Sequence, residues 1–139
     1  MALFVAVAFT VALSGTLTLT SATGASALCS STGFEGNWRS KPVDSRLTSI
    51  DVWPGGGCHL YAEAWRRCEK DPTMECSLGS RELQATPAKN FRFFYYNWSD
   101  RNQVLQVTLR TDKAHLSIWD HTDFNDGRQV SFTVLMVKR

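Results

Sequence analysis

The sequence predicts an all-β fold: a closed, antiparallel, up-and-down barrel of about eight strands, stapled by disulfides and preceded by a cleaved leader. Three observations predict it. Apolar and polar residues alternate with a period of two through most of the chain after the leader, the pattern of strands with one buried face. The links between these segments are short and rich in turn formers. That favours pairing of neighbours, and closure removes the exposed edges such a sheet would otherwise have. Four cysteines, Cys29, Cys58, Cys68 and Cys76, all follow the leader, an even count that suits a small crosslinked domain.

Residues 1–27 read as a secretory signal peptide. They carry no charged side chain, run almost wholly apolar from Ala2 to Leu13, and end in Ala25-Ser26-Ala27, a small-x-small cleavage pattern. Bulky Leu28 before Cys29 argues against acylation of that cysteine, and the apolar run is too short and interrupted to span a bilayer. Of 139 residues, removal of 27 leaves 112, enough for a single domain over residues 28–139. The net charge of +2, from 15 Lys+Arg against 13 Asp+Glu, is spread along the chain. It gives no argument for nucleic acid or for an anionic membrane surface.

Each strand has its own signal. Phe34, Gly36 and Trp38 alternate with Glu35, Asn37 and Arg39 until Pro42 breaks the run. Thr48, Ile50 and Val52 alternate with polar neighbours up to the turn Pro54-Gly55-Gly56-Gly57. From Cys58 to Arg67, Leu60, Ala62 and Ala64 share one face. Helical propensity at Ala62 to Glu69 competes, but the alternation and the preceding glycine turn favour a strand. A weaker strand is expected from Gly79 to Thr86. The segment from Phe91 to Trp98 carries rings on both faces. Leu105, Val107 and Leu109, then Leu116 and Ile118, continue the alternation. Asn125-Asp126-Gly127 is a hairpin turn leading into Val130, Phe132, Val134 and Met136.

The four cysteines allow three pairings. Local pairing of Cys68 with Cys76 across a turn-like segment is the simplest, and Cys29 would then tie the mature N-terminus to Cys58. A zinc site is disfavoured because no C-x-x-C pair is present.

Gly36-x-Trp38 at the start of the first strand, with Lys138-Arg139 ending the last, resembles the calycin group, which includes lipocalins and avidins. The resemblance implies that the Trp38 ring packs at the closed end of a barrel, with Lys138 or Arg139 lying across it. A cation over an indole face, its stem covering apolar surface, gives that arrangement a physical basis. Trp65-Arg66-Arg67-Cys68 followed by Cys76-Ser77-Leu78-Gly79 is similar to a W-x-x-C…C-x-x-G segment of small, mainly bacterial barrel proteins. Arg46 and the set Phe124, Asp126, Gly127 and Arg128 echo the same group. The chain departs from it in a longer insertion between the cysteines and in lacking a second tryptophan before Gly79. The likeness covers nearly all of the mature chain and bears on fold.

No catalytic motif stands out. His59, His115 and His121 lie on different segments, although Asp120-His121-Thr122-Asp123 could orient an imidazole. The acid pairs Asp51 with Glu63 and Asp120 with Asp123 could flank a glycosidic bond only at a set separation that the sequence does not enforce. Solvated surface groups are the default for all of them. No resident cofactor or metal is expected. Asn97-Trp98-Ser99 is a formal glycosylation sequon.

Five tryptophans and eight phenylalanines are more than packing alone asks of a chain this short. Trp38, Phe93 and Phe132 are expected in the core. Trp53, Trp65, Tyr96, Trp98 and Trp119 fall opposite the aliphatic residues, where rings could line a ligand mouth, stack on sugars, or simply cover the outer wall. The expected function is therefore secreted, non-enzymatic binding of a small apolar or aromatic ligand, or of a glycan, at the open end of a monomeric barrel. Trp65, Arg92, Tyr96, Trp98, Arg110 and Trp119 are the expected contacts. The alternative is a secreted protease inhibitor or effector that meets a protein target through the loops Glu69–Glu75 and Thr122–Gly127. An empty barrel interior favours the first and a filled one the second.

Overall fold

The computed structural model describes residues 29–42 and 45–139. The expected signal peptide lies outside the described residues. Eight strands, β1 (Gly36–Ser40), β2 (Leu47–Pro54), β3 (Leu60–Arg67), β4 (Glu75–Ala85), β5 (Phe91–Asn97), β6 (Arg101–Leu109), β7 (His115–Phe124) and β8 (Gln129–Lys138), follow in chain order. Each pairs antiparallel with its neighbour, and β8 returns to β1 through Trp38–Lys138, Arg39–Val137 and Ser40–Met136. This is a closed up-and-down barrel of eight antiparallel strands, as the alternation and short links predict. Short connections dictate the order, because antiparallel neighbours need only a tight turn. Cys29–Cys58 and Cys68–Cys76 are the two disulfides.

One row of each strand points inward. Ile50 and Val52 of β2, Ala62 and Ala64 of β3, Leu105 and Val107 of β6, Leu116 and Ile118 of β7, and Met136 of β8 are all buried. The alanines on β3 make room for Phe94 and Tyr96, which fill the centre from β5 and are fully buried. Small residues facing large ones let a narrow barrel pack densely.

The two ends differ. Turns 55–59, 86–90 and 110–114 lie at the closed end, where the N-terminal segment crosses the base. Phe34, expected inside the first strand, instead precedes β1, plugs the base fully buried, and accepts a bond at its carbonyl from Trp38 Nε1 (2.7 Å). Lys138 Nζ lies 5.2 Å from the centre of the Trp38 ring. Gly36 has φ +131°, and a Cβ there would come within 2.6 Å of Lys138 Cε. Only glycine lets the lysine stem cross at this point. Arg139 does not share the ring; its backbone N–H donates to Asn37 O (3.0 Å).

β4 begins at Glu75, earlier than the expected Gly79. Its register with β3 slips by one between Glu63–Ser80 and Trp65–Ser77, and Gly79 takes φ +86° at the slip. A glycine bulge of this kind frees a carbonyl from the ladder. The Tyr96 hydroxyl donates to Gly79 O at 2.7 Å. Beyond the bulge the wall is thin: β4 pairs with β5 through Gln84–Phe93 and Ala85–Arg92. Above those pairs, side chains close the seam. Tyr96 stacks on Trp98 (5.2 Å between centres), and the Arg81 guanidinium lies 5.0 Å over Tyr96.

Candidate functional site

Toward the open end the inward rows change character. On β6 the apolar row Leu109, Val107, Leu105 ends in Gln103; on β7 the row Leu116, Ile118 ends in Asp120 and Thr122. The register places Gln103 beside Thr122 and Leu105 beside Asp120, so both rows turn polar at one height. Above this level the interior holds a cavity of about 320 Å³.

Its floor is a small polar network. Gln103 Nε2 donates to Asp120 (2.5 Å), and the Thr122 hydroxyl donates to the same carboxylate at 3.4 Å. Asp120 is 2% exposed. Burial pushes its pKa up to about 6, against the smaller opposing pull of Gln103, Thr122, Arg66 and His121. Its walls are apolar: Leu47, Leu78, Phe124, Val130 and Phe132. Its rim is cationic, with Arg46, Arg66, Arg67 and Arg101 against Glu69 and the deeper Asp120. Arg101 lies across two rings, 5.0 Å from the centre of Trp98 and 5.8 Å from that of Phe124, and Arg46 lies 6.0 Å from Phe132. Arg67 Nη1 donates to Pro72 O at 2.8 Å. A shallower groove on the flank shares Arg46, Val130 and Phe132 with the cavity and runs along β8 past Pro42.

Of the six expected ligand contacts the structure brings together Tyr96 and Trp98, the others are scattered, and none of the six lines this cavity. The physical reason is strand direction. β5 runs from the closed end to the open end, so Arg92 at its start lies by Phe34 (5.7 Å from the ring centre), far along the strand from Trp98. Arg110, just past the end of β6, sits exposed in a closed-end turn. Trp65 and Trp119 face outward. The Trp119 ring stacks on His121 at 5.1 Å, while the Trp65 indole Nε1 is buried without a partner. Tyr96 was expected opposite the aliphatic residues but points inward with Phe94. Burial is the main cause that pushes its hydroxyl pKa up to about 12. Trp98 packs on top of Tyr96, one layer beneath the rim arginine Arg101. Phe93, expected in the core, lies on the outer face with Phe91 and Tyr95.

The remaining chemistry lies outside the barrel. His121 shares hydrogen bonds with Ser131 Oγ (2.6 Å) and Asp123 Oδ1 (3.2 Å), but on the outer wall of β7 and β8. Asp51 and Glu63 are cross-strand neighbours on β2 and β3, and each has a neutral partner, Asn37 and Ser77. Asp120 faces inward and Asp123 bonds outward-facing His121 and Gln129, so that pair flanks no cleft. Among the described residues no group of three or more His, Cys, Asp or Glu side chains could hold a metal ion.

Sequence reasoning missed Arg46, Arg66, Arg101, Gln103, Asp120 and Thr122 as cavity residues. The available signal was the point where an inward apolar row ends in a polar residue, repeated on adjacent strands. No family model and no curated protein matches the chain. Among solved structures it is similar to the siderocalin Ex-FABP, described as functioning through dual ligand specificities. The two are 14% identical, the match covers 78% of this chain and 75% of that one, and the TM-score is 0.45.

Proposed function

We propose that this protein is a non-enzymatic binding protein that holds a small, largely apolar or aromatic molecule in the open-end cavity. The observation that carries this reading is the cavity itself. About 320 Å³ of space sits above a filled core, with apolar walls and convergent polar groups at floor and rim. Burial of an apolar body against Leu47, Leu78 and Phe132 would supply affinity, and the rim arginines and the Gln103–Asp120 pair would supply orientation. A glycan ring stacked against Phe124 is the variant of the same reading that an aromatic wall also suits.

The lower barrel is packed with Trp38, Phe94 and Tyr96, so the binding space is confined to the open end above them and suits a compact ligand. That space favours a small molecule over a protein target as partner. Two disulfides support folding in an oxidising compartment, in keeping with secretion. The test is to map the shifts of backbone and side-chain NMR signals on titration with N-phenylnaphthylamine, a neutral apolar probe of suitable size. Saturable shifts at the cavity residues are the expected result.

A further inference from the structure

Glu69 stands apart among the rim residues because it is the one carboxylate there that comes from a loop. It follows Cys68, at the base of the β3–β4 loop that the Cys68–Cys76 disulfide staples shut. From that position its Oε1 accepts from Arg66 Nη2 at 3.0 Å and from Arg101 Nη1 at 3.4 Å. Arg66 belongs to β3 and Arg101 to β6, so one carboxylate bridges two arginines from separate parts of the rim. Glu69 itself remains 67% exposed, whereas Arg101 is only 16% exposed at its side chain. The Arg101 guanidinium is therefore fixed by Trp98 and Phe124, and the carboxylate is the more exposed, movable partner.

The Nε atoms of both Arg66 and Arg101 are also buried without a hydrogen-bond partner. Glu69 therefore leaves hydrogen-bond donors of both guanidiniums unused, although Asp100 Oδ1 lies 3.9 Å from Arg101 Nε as a longer ion pair. An anion with two or three oxygens, arriving from the cavity side, could bond Arg66 and Arg101 through separate oxygens, which a single shared carboxylate oxygen does not achieve.

We propose that Arg66 and Arg101 form an anion subsite at the mouth of the cavity, and that Glu69 is its built-in occupant. The ligand class is then an apolar or aromatic body carrying a carboxylate, sulfonate or comparable anionic group, which displaces Glu69 on binding. This inference rests on the cavity reading above and adds the charge of the ligand and the residue that competes with it.

The test compares two probes that share an aromatic body: anilinonaphthalene sulfonate, which is anionic, and N-phenylnaphthylamine, which is neutral. Fluorescence titrations are run on the wild type and on Glu69→Gln, Arg101→Gln and Glu75→Gln. Glu75 pairs with Arg39 (3.0 Å) and does not line the cavity, so its variant removes one negative charge elsewhere on the same segment. Glu69→Gln should tighten the sulfonate by about three- to tenfold and leave the neutral probe unchanged, because the competing charge is close but partly screened. Arg101→Gln should weaken the sulfonate selectively, and Glu75→Gln should match the wild type. Equal effects on both probes, or equal effects of the two glutamate variants, would overturn the subsite while leaving the cavity reading intact. Binding of neither probe to any variant would overturn both.

Discussion

Trp38 is held from three directions: its indole N–H bonds to Phe34 O, Lys138 lies over its ring, and the apolar base of the barrel surrounds it. Truncation would leave a large cavity where no neighbour can collapse, so Trp38→Ala should destabilise by about 3–5 kcal/mol in urea unfolding. A near-neutral result would refute its place at the barrel base. Asp120 behaves in the opposite sense to most carboxylates. Its pKa is raised by burial from the ordinary 3.8 to about 6, so the folded state holds the proton more tightly than the unfolded chain. Its contribution is therefore undiminished below the ordinary value, declines as pH rises toward about 6, and is constant above. Asp120→Asn keeps an acceptor for Gln103 and removes that decline, so its gain over wild type should grow between about pH 4 and pH 6, reaching roughly 3 kcal/mol. Paired denaturation curves across that range check it, and a constant difference would contradict the assignment.

At the scale of the elements, alternation made most strands legible, because one face is apolar and the other is not. β6, β7 and β8 lie close to where the pattern places them. β5 was legible as a strand but not in phase, since Phe91, Phe93 and Tyr95 on one face and Phe94 and Tyr96 on the other are equally aromatic. That is why Tyr96 and Phe93 exchange places between expectation and structure. β4 was the least legible, because its exposed row and the Gly79 bulge interrupt the period. The bulge and Tyr96 form one device: the freed Gly79 carbonyl anchors the ring that closes the β4–β5 seam. Tyr96→Phe leaves that carbonyl without its donor and should cost about 1–3 kcal/mol. Hydrogen exchange should speed up first in β4 and β5, ahead of β6 and β7. Uniform acceleration across the barrel would contradict a local seam.

At the scale of the whole molecule, the barrel is closed by sequence-visible features and open by sequence-invisible ones. Gly36, Trp38 and Lys138 lie in the first and last strands, where a short motif can be noticed. The cavity draws Arg46, Arg66, Arg101, Gln103, Asp120 and Phe132 from separate turns and strands. Their convergence depends on the register between strands, which a one-residue slip would reverse. Arg92 and Arg110 illustrate the same point from the other side, as plausible contacts carried to the closed end by strand direction. The central claim is that ligands enter at the open end and stop above Tyr96. The NMR titration with N-phenylnaphthylamine tests it most directly. The account predicts saturable shifts at Leu78, Gln103, Phe124 and Phe132, with Phe34, Trp38 and Leu116 at the base unmoved. Shifts confined to the base or to the outer wall, or none at saturating probe, would contradict it.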